Sequence, residues 1–127
     1  LGTMSADKLK WPLSAADVFV LATRNEGWAN VFLEAMACGL PVVSTDVGGN
    51  AEVVCNPSLG TIVPFGDSAA LSAAIADALH KPWDRAAIIA YAHDNSWDGR
   101  VAVLTEEFFS LADSRLTAKI ERGLADV

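Results

Sequence analysis

The stretch Thr23-Arg24-Asn25-Glu26-Gly27-Trp28-Ala29-Asn30-Val31-Phe32-Leu33-Glu34 joins a glycine turn, two carboxylates and the start of an apolar run. Gly27 frees the backbone to turn and permits close approach of a ligand. With a helix starting just after it, the amides of Ala29, Asn30 and Val31 are the free donors of a helix N-terminus. Such an end can bind phosphate without a lysine. Glu26 stands in the loop before the helix, and Glu34 about one turn inside it, where helical side chains lean back toward the N-terminus. Both carboxylates can then face one ligand from different sides. Each offers two acceptor oxygens, suited to adjacent hydroxyls of a sugar or a ribose. Residue type alone favours an ordinary solvent-exposed loop acid at Glu26. Glu34 is the only charge between Val31 and Val43, and buried carboxylates are rarely left without a partner. A structural partner and a ligand are equally open for it, as are packing and ligand contact for Trp28.

A second glycine turn, Asp46-Val47-Gly48-Gly49-Asn50-Ala51-Glu52, follows the next β-rich run. A glycine pair alone is a plain tight connection. Two such turns at neighbouring strand ends make a ligand crevice, because open α/β sheets bind ligands outside the carboxyl ends of their strands. Other chemistry finds little support. His80 and His93 lack ligand or triad spacing and read as surface residues. Cys38 and Cys55 lack metal spacing and read as reduced, buried thiols. There is no Walker loop and no G-x-G-x-x-G fingerprint. Trp11, Trp83 and Trp97 are expected to be packing residues.

The elements that must position these turns alternate. Asp17–Leu21 reads as a buried strand and Val31–Cys38 as a helix buried on most faces, ended by Gly39 with Pro41 close behind. Pro41–Thr45 is the next strand, Ala51–Val54 a short helix and Gly60–Val63 a third strand. Asp67 or Ser68 caps a helix whose Leu71, Ile75, Ala78 and Leu79 share a face. A helix over Trp83–Ala92 follows. A last one starts near Trp97 or Asp98, with Val101, Leu104, Phe108 and Leu111 in one stripe. A helical lead-in, Ser5–Ala16, is interrupted at Pro12. This order implies an α/β fold with parallel strands and right-handed crossovers. We divide it into a partial α/β domain, residues 1–112, and a helical tail, residues 113–127. Three strands make a narrow parallel sheet, so strands are expected to be missing upstream.

Composition bounds the partners. A formal net charge of −7, with only nine scattered Lys and Arg, argues against nucleic acid. A bound polyphosphate must be held mainly by backbone amides and local dipoles. No apolar run is long enough for a membrane span, and no signal peptide opens the chain, so the default reading is cytoplasmic.

Several motifs in order resemble the donor-binding domain of family 4 glycosyltransferases with the GT-B fold. They are Ala16–Leu21, then Glu26-Gly27 through Glu34-Ala35-Met36-Ala37-Cys38-Gly39-Leu40-Pro41-Val42-Val43, then Gly48–Val54 and Leu59–Asp67. Glu26 and Glu34 have the E-x7-E spacing of that group. The likeness is strong over Ala15–Leu79 and weak over Asn95–Leu111. It implies a Rossmann-like parallel sheet with flanking helices, the C-terminal half of a GT-B enzyme truncated at its N-terminus. It also implies transfer of a sugar from a UDP-sugar or GDP-sugar to an acceptor, with retention and with no metal or other cofactor. Glu26 inherits the catalytic place near the transferred sugar and Glu34 the ribose hydroxyls. The turn from Gly27 through Trp28, Ala29 and Asn30 to Val31, with Gly48 and Gly49, holds sugar hydroxyls and diphosphate. Trp28-Ala29 departs from the family's usual Phe-Gly, which bears on sugar identity, and Ala51 replaces a common proline. The Arg and Lys that clasp the diphosphate in such enzymes have no counterpart here. The acceptor, a sugar or a lipid-linked glycan, belongs to an N-terminal domain expected to be absent, and the parent enzyme to the inner membrane face. On this reading the chain alone transfers no sugar. A different class, a non-catalytic nucleotide-binding or interaction module that self-associates through an exposed sheet edge, is the alternative.

Overall fold

The computed structural model describes residues 2–125. Its elements are α1 (Ala6–Ser14), β1 (Phe19–Leu21), α2 (Asn30–Ala37), β2 (Val42–Thr45), α3 (Asn50–Val53), β3 (Gly60–Val63), α4 (Ser68–His80), α5 (Arg85–Asp94) and α6 (Trp97–Ala125). The chain divides into two compact units, Leu1–Asp94 and Asn95–Val127. The first contains the sheet and α1–α5. The second contains α6, and the sequence boundary between residues 112 and 113 falls inside that helix. The side chains of residues 113–127 lie outside the described ones.

The strands run parallel in the order β1-β2-β3, with Val20 beside Val43 and Val43 beside Thr61. All four residues of β2 are buried, as a central parallel strand covered on both faces requires. Alternation along the strand separates two cores. Val42 joins Phe32, Met36, Val53, Ile88 and Ala92, contributed by α2, α3 and α5. Val43 joins Val63, Ala74 and Ala78, so α4 covers the opposite face. A third cluster, Leu13, Ala35 and Leu40, attaches α1 to α2. Phe19 meets Phe32 edge-on, ring centroids 6.1 Å apart, which fastens β1 to α2.

Local chemistry sets the ends of these elements. Gly39 sits at φ +76°. Its N–H bonds Met36 O at 2.8 Å and Leu40 N–H bonds Ala35 O at 3.1 Å, which closes α2 with a Schellman motif. Asp67 caps α4 by accepting from Ala70 N–H at 2.8 Å. Trp83 packs between the two main cores, and its indole N–H donates to Ala78 O at 2.7 Å.

Several expectations change. α1 runs through Pro12 instead of breaking there. Burial of Leu13 against α2 offsets the lost backbone bond, and the helix stops two residues later. The buried stripe of α4 is Ala74 and Ala78 with Leu71 and Ile75 beside them, while Leu79 is exposed. Trp11 and Trp97 are exposed, not packed. Cys38 is half-buried at the end of α2 and Cys55 is exposed in the turn after α3, so neither is a core thiol. Val101, Leu104, Phe108 and Leu111 of α6 are exposed. Within α2, Phe32, Ala35 and Met36 are buried but Glu34 and Ala37 are not.

Phe32 is fully buried and Trp11 is 69 % exposed. Urea denaturation should show Phe32→Ala destabilised by about 3–5 kcal/mol. Trp11→Ala should stay within roughly 0.5 kcal/mol of wild type.

Candidate functional site

β1 and β2 end side by side, and each delivers the chain into a glycine turn. Two hydroxyls pin the strand ends together. Ser44 Oγ donates to Leu21 O at 2.7 Å and Thr45 Oγ1 donates to Thr23 O at 2.8 Å. Beyond them the two turns touch backbone to backbone, with Gly49 N–H donating to Gly27 O at 2.9 Å.

That contact explains the glycine pair. Gly48 has φ +52°, and a Cβ there would run into the carbonyl of Glu26. At Gly49 a Cβ would lie 2.6 Å from Gly27 O and 3.3 Å from Cε3 of Trp28. Gly27 differs from both, because a Cβ there would meet nothing within 4 Å, and unlike Gly48 its φ is not positive. The steric demand therefore sits on Gly48 and Gly49, and the outer side of Gly27 is open to an approaching ligand.

Downstream of Gly27 the chain enters α2 through Ala29, a buried N-cap residue with no side-chain cap bond. The first turn of α2 carries no acidic residue. Its positive end is therefore left to whatever anion approaches. The expected trio of free donors is reduced, because Asn30 N–H bonds Trp28 O at 3.0 Å. The tight turn that delivers the chain to the helix uses that amide, leaving Ala29 and Val31 of the three for an anion. Trp28 is half-buried against the cluster containing Phe32 and Ile88, so it packs under the turn.

Glu26 is half-buried in the first turn, at the point its carbonyl abuts Gly48. Glu34 lies on α2 one helical turn beyond Asn30 and is exposed. Water can satisfy an exposed carboxylate, so no internal partner is needed. Glu34 is therefore not the buried charge its apolar surroundings predict, and what relates it to the turn is its position on the helix that starts there.

Sequence reasoning passed over Asn50. It is fully buried, and its Nδ2 donates to Thr45 O at 3.0 Å and Ser44 Oγ at 3.1 Å. Its signal was a polar residue directly after the glycine pair, at the start of a short helix.

A cavity of about 210 Å³ opens at the same strand ends, lined by Ala22, Thr45, Phe65, Gly66, Asp67 and Leu71. It lies on the α4 side, and neither glycine turn lines it. Among the described residues no three His, Cys, Asp or Glu side chains cluster as metal ligands. No described helix is long and apolar enough to cross a membrane.

Residues 1–95 match the family described as glycosyl transferases group 1, and the chain belongs to that family. Over 124 residues it is 34 % identical to a GDP-mannose-dependent monoacylated alpha-(1-6)-phosphatidylinositol monomannoside mannosyltransferase of Corynebacterium glutamicum, covering 92 % of this chain and 30 % of that enzyme. A GDP-mannose-dependent alpha-(1-6)-phosphatidylinositol monomannoside mannosyltransferase of Mycolicibacterium smegmatis is 38 % identical, covering 80 % of this chain and 30 % of the enzyme. A D-inositol 3-phosphate glycosyltransferase of Corynebacterium urealyticum is 35 % identical, over 76 % of this chain and 24 % of the enzyme. The chain thus spans less than a third of the length of these curated relatives.

Gly48→Ala should cost at least about 1–2 kcal/mol in chemical denaturation, since the left-handed φ alone is unfavourable by that amount. Gly27→Ala should leave stability within roughly 0.5 kcal/mol, because its Cβ would point into open space. Equal losses from the two would contradict the division of labour between the turns.

Proposed function

We propose that this chain supplies the donor-binding part of a retaining glycosyltransferase of the family 4 type, which moves a sugar from a nucleotide-sugar to an acceptor. The observation that carries the reading is the backbone contact between the two glycine turns at adjacent strand ends, with the first turn running into the uncapped start of α2.

In this reading the donor's diphosphate lies at the N-terminus of α2. The amides there face the charge that builds on the leaving phosphate as the bond to the anomeric carbon breaks. Fixed donors aimed at developing charge lower the barrier, because they need no reorganisation when the charge appears. Backbone donors also suit a chain with a formal net charge of −7. Arg24 is the one cation of the first turn, and it is exposed.

The open side of Gly27 lets the transferred sugar lie against the main chain, with Glu26 beside it as the catalytic-site carboxylate. Glu34, one turn into α2, accepts from the ribose hydroxyls. A carboxylate with two oxygens can take both hydroxyls of a cis diol. Trp28, Ala29, Asn30 and Val31 shape the floor, and Gly48 and Gly49 hold the opposite wall. The donor is a GDP-sugar or UDP-sugar. GDP-mannose is the first to test, because two of the relatives are GDP-mannose-dependent by name. The acceptor, a sugar or lipid-linked glycan, is held by parts of the full-length protein corresponding to the remaining length of those relatives. The site of action is the cytoplasmic side.

Calorimetric titration with GDP and UDP tests the assignment. Glu34→Ala should weaken the better-bound nucleotide by about tenfold or more, the loss expected when a charge-assisted hydrogen-bond pair is removed. Unchanged affinity would take Glu34 out of the site.

A further inference from the structure

We infer that Asn50 is a positioning residue of the donor site, whose carboxamide sets where the first glycine turn lies by holding the second turn to the ends of β1 and β2. The inference rests on the donor-site reading above.

The geometry is a short relay. Asn50 Nδ2 donates to Thr45 O and to Ser44 Oγ. A carbonyl can only accept, so the first bond fixes which end of the amide is nitrogen. Ser44 Oγ passes the connection on by donating to Leu21 O, and Thr45 Oγ1 donates to Thr23 O. Leu21 closes β1 and Thr23 opens the turn that carries Glu26 and Gly27. One buried side chain is thus connected to both strand ends. Its own backbone neighbour, Gly49, makes the contact to Gly27 O. A movement of Asn50 must displace Gly49, and Gly27 and the entry to α2 lose their support.

Stability alone does not account for this choice of residue. Asn50 Oδ1 is buried with no hydrogen-bond partner among the described residues. A buried acceptor left open costs stability that the two bonds from Nδ2 must offset. What the carboxamide distinctively supplies is direction: two N–H groups aimed at two fixed acceptors, on the residue next to the inter-turn contact. Gly48 and Gly49 permit the close approach, and Asn50 selects it.

The test compares Asn50→Asp and Ser44→Ala with wild type in two measurements. Asn50→Asp keeps the side-chain shape but turns an acceptor toward Thr45 O and Ser44 Oγ. Ser44→Ala removes the relay to Leu21 and serves if the first variant fails to fold. Amide hydrogen exchange by NMR is read at Gly49, which bonds Gly27 O, and at Val42, which bonds Leu59 O at 3.0 Å and reports on the sheet. Titrations with GDP-mannose and with GMP separate the sugar-diphosphate end of a donor from its nucleoside end.

In Asn50→Asp, Gly49 exchange should accelerate about tenfold or more with Val42 unchanged, since local opening of the turn need not open the sheet. GDP-mannose affinity should fall about tenfold while GMP stays within about twofold. Ser44→Ala should move the same readouts in the same direction by a smaller factor. Gly49 protection equal to wild type would overturn the inference. So would parallel loss of GMP affinity, GDP-mannose affinity and Val42 protection, the signature of a merely structural residue. Wild-type chain that takes up neither nucleotide would overturn the donor reading instead. Asn50 as holder of the turn would then stand or fall on Gly49 exchange alone.

Discussion

Everything that makes the first glycine turn usable depends on how closely the second one approaches it. A main-chain N–H from Gly49 meets the carbonyl of Gly27, and the backbone at Gly48 lies where any side chain would strike Glu26 O. Neither turn is ordered by its own residues alone. The first has no side-chain cap at the start of α2, and the helix after the second is only four residues long. Each is held by the other and by the hydroxyls of Ser44 and Thr45, which tie the end of β2 to Leu21, the last residue of β1, and to Thr23 beyond it. Small residues and short polar side chains fit such a junction, because the space between two main chains in contact admits nothing larger.

This arrangement suits an anionic ligand in an acidic chain. Few cations are at hand, and charge on a bound phosphate must be met by amide dipoles whose positions the fold sets in advance. The rigid parts lie directly beneath. Trp28 and Phe32 anchor the turn and the first residues of α2 to the main core, and Phe19 packs the start of β1 against the same helix. Side chains of the proposed donor site therefore project from a surface that the hydrophobic core fixes, which is the condition for holding groups in a productive geometry.

Much of this was legible in the chain. Alternating β-rich and apolar helical runs predicted the three strands, and their centres agree with those observed. Asp67 as a cap and Gly39 as a helix terminator followed from local chemistry, since a side-chain acceptor or a left-handed φ acts within a few residues. The neighbouring of the two turns followed from strand order and the parallel arrangement. Less legible was anything requiring exposure. Glu34 looked buried from its apolar surroundings, yet a helix packed on one side still presents a face to solvent. Trp11, Cys55 and Leu79 were misjudged for the same reason. Residue type predicts a preference, and packing decides which positions receive cover.

By itself, then, the sequence determined the elements, their order, and the two turns with their carboxylates, because propensity, capping and periodicity are short-range. Only the tertiary structure decided which glycines are sterically required, which amide of the first turn is already spent, and that Asn50 ties the turns together. Those facts depend on atoms brought together from separate segments of the chain. Gly27 and Gly48 look equally demanding in one dimension. They differ only once the backbone of one turn is laid against the other.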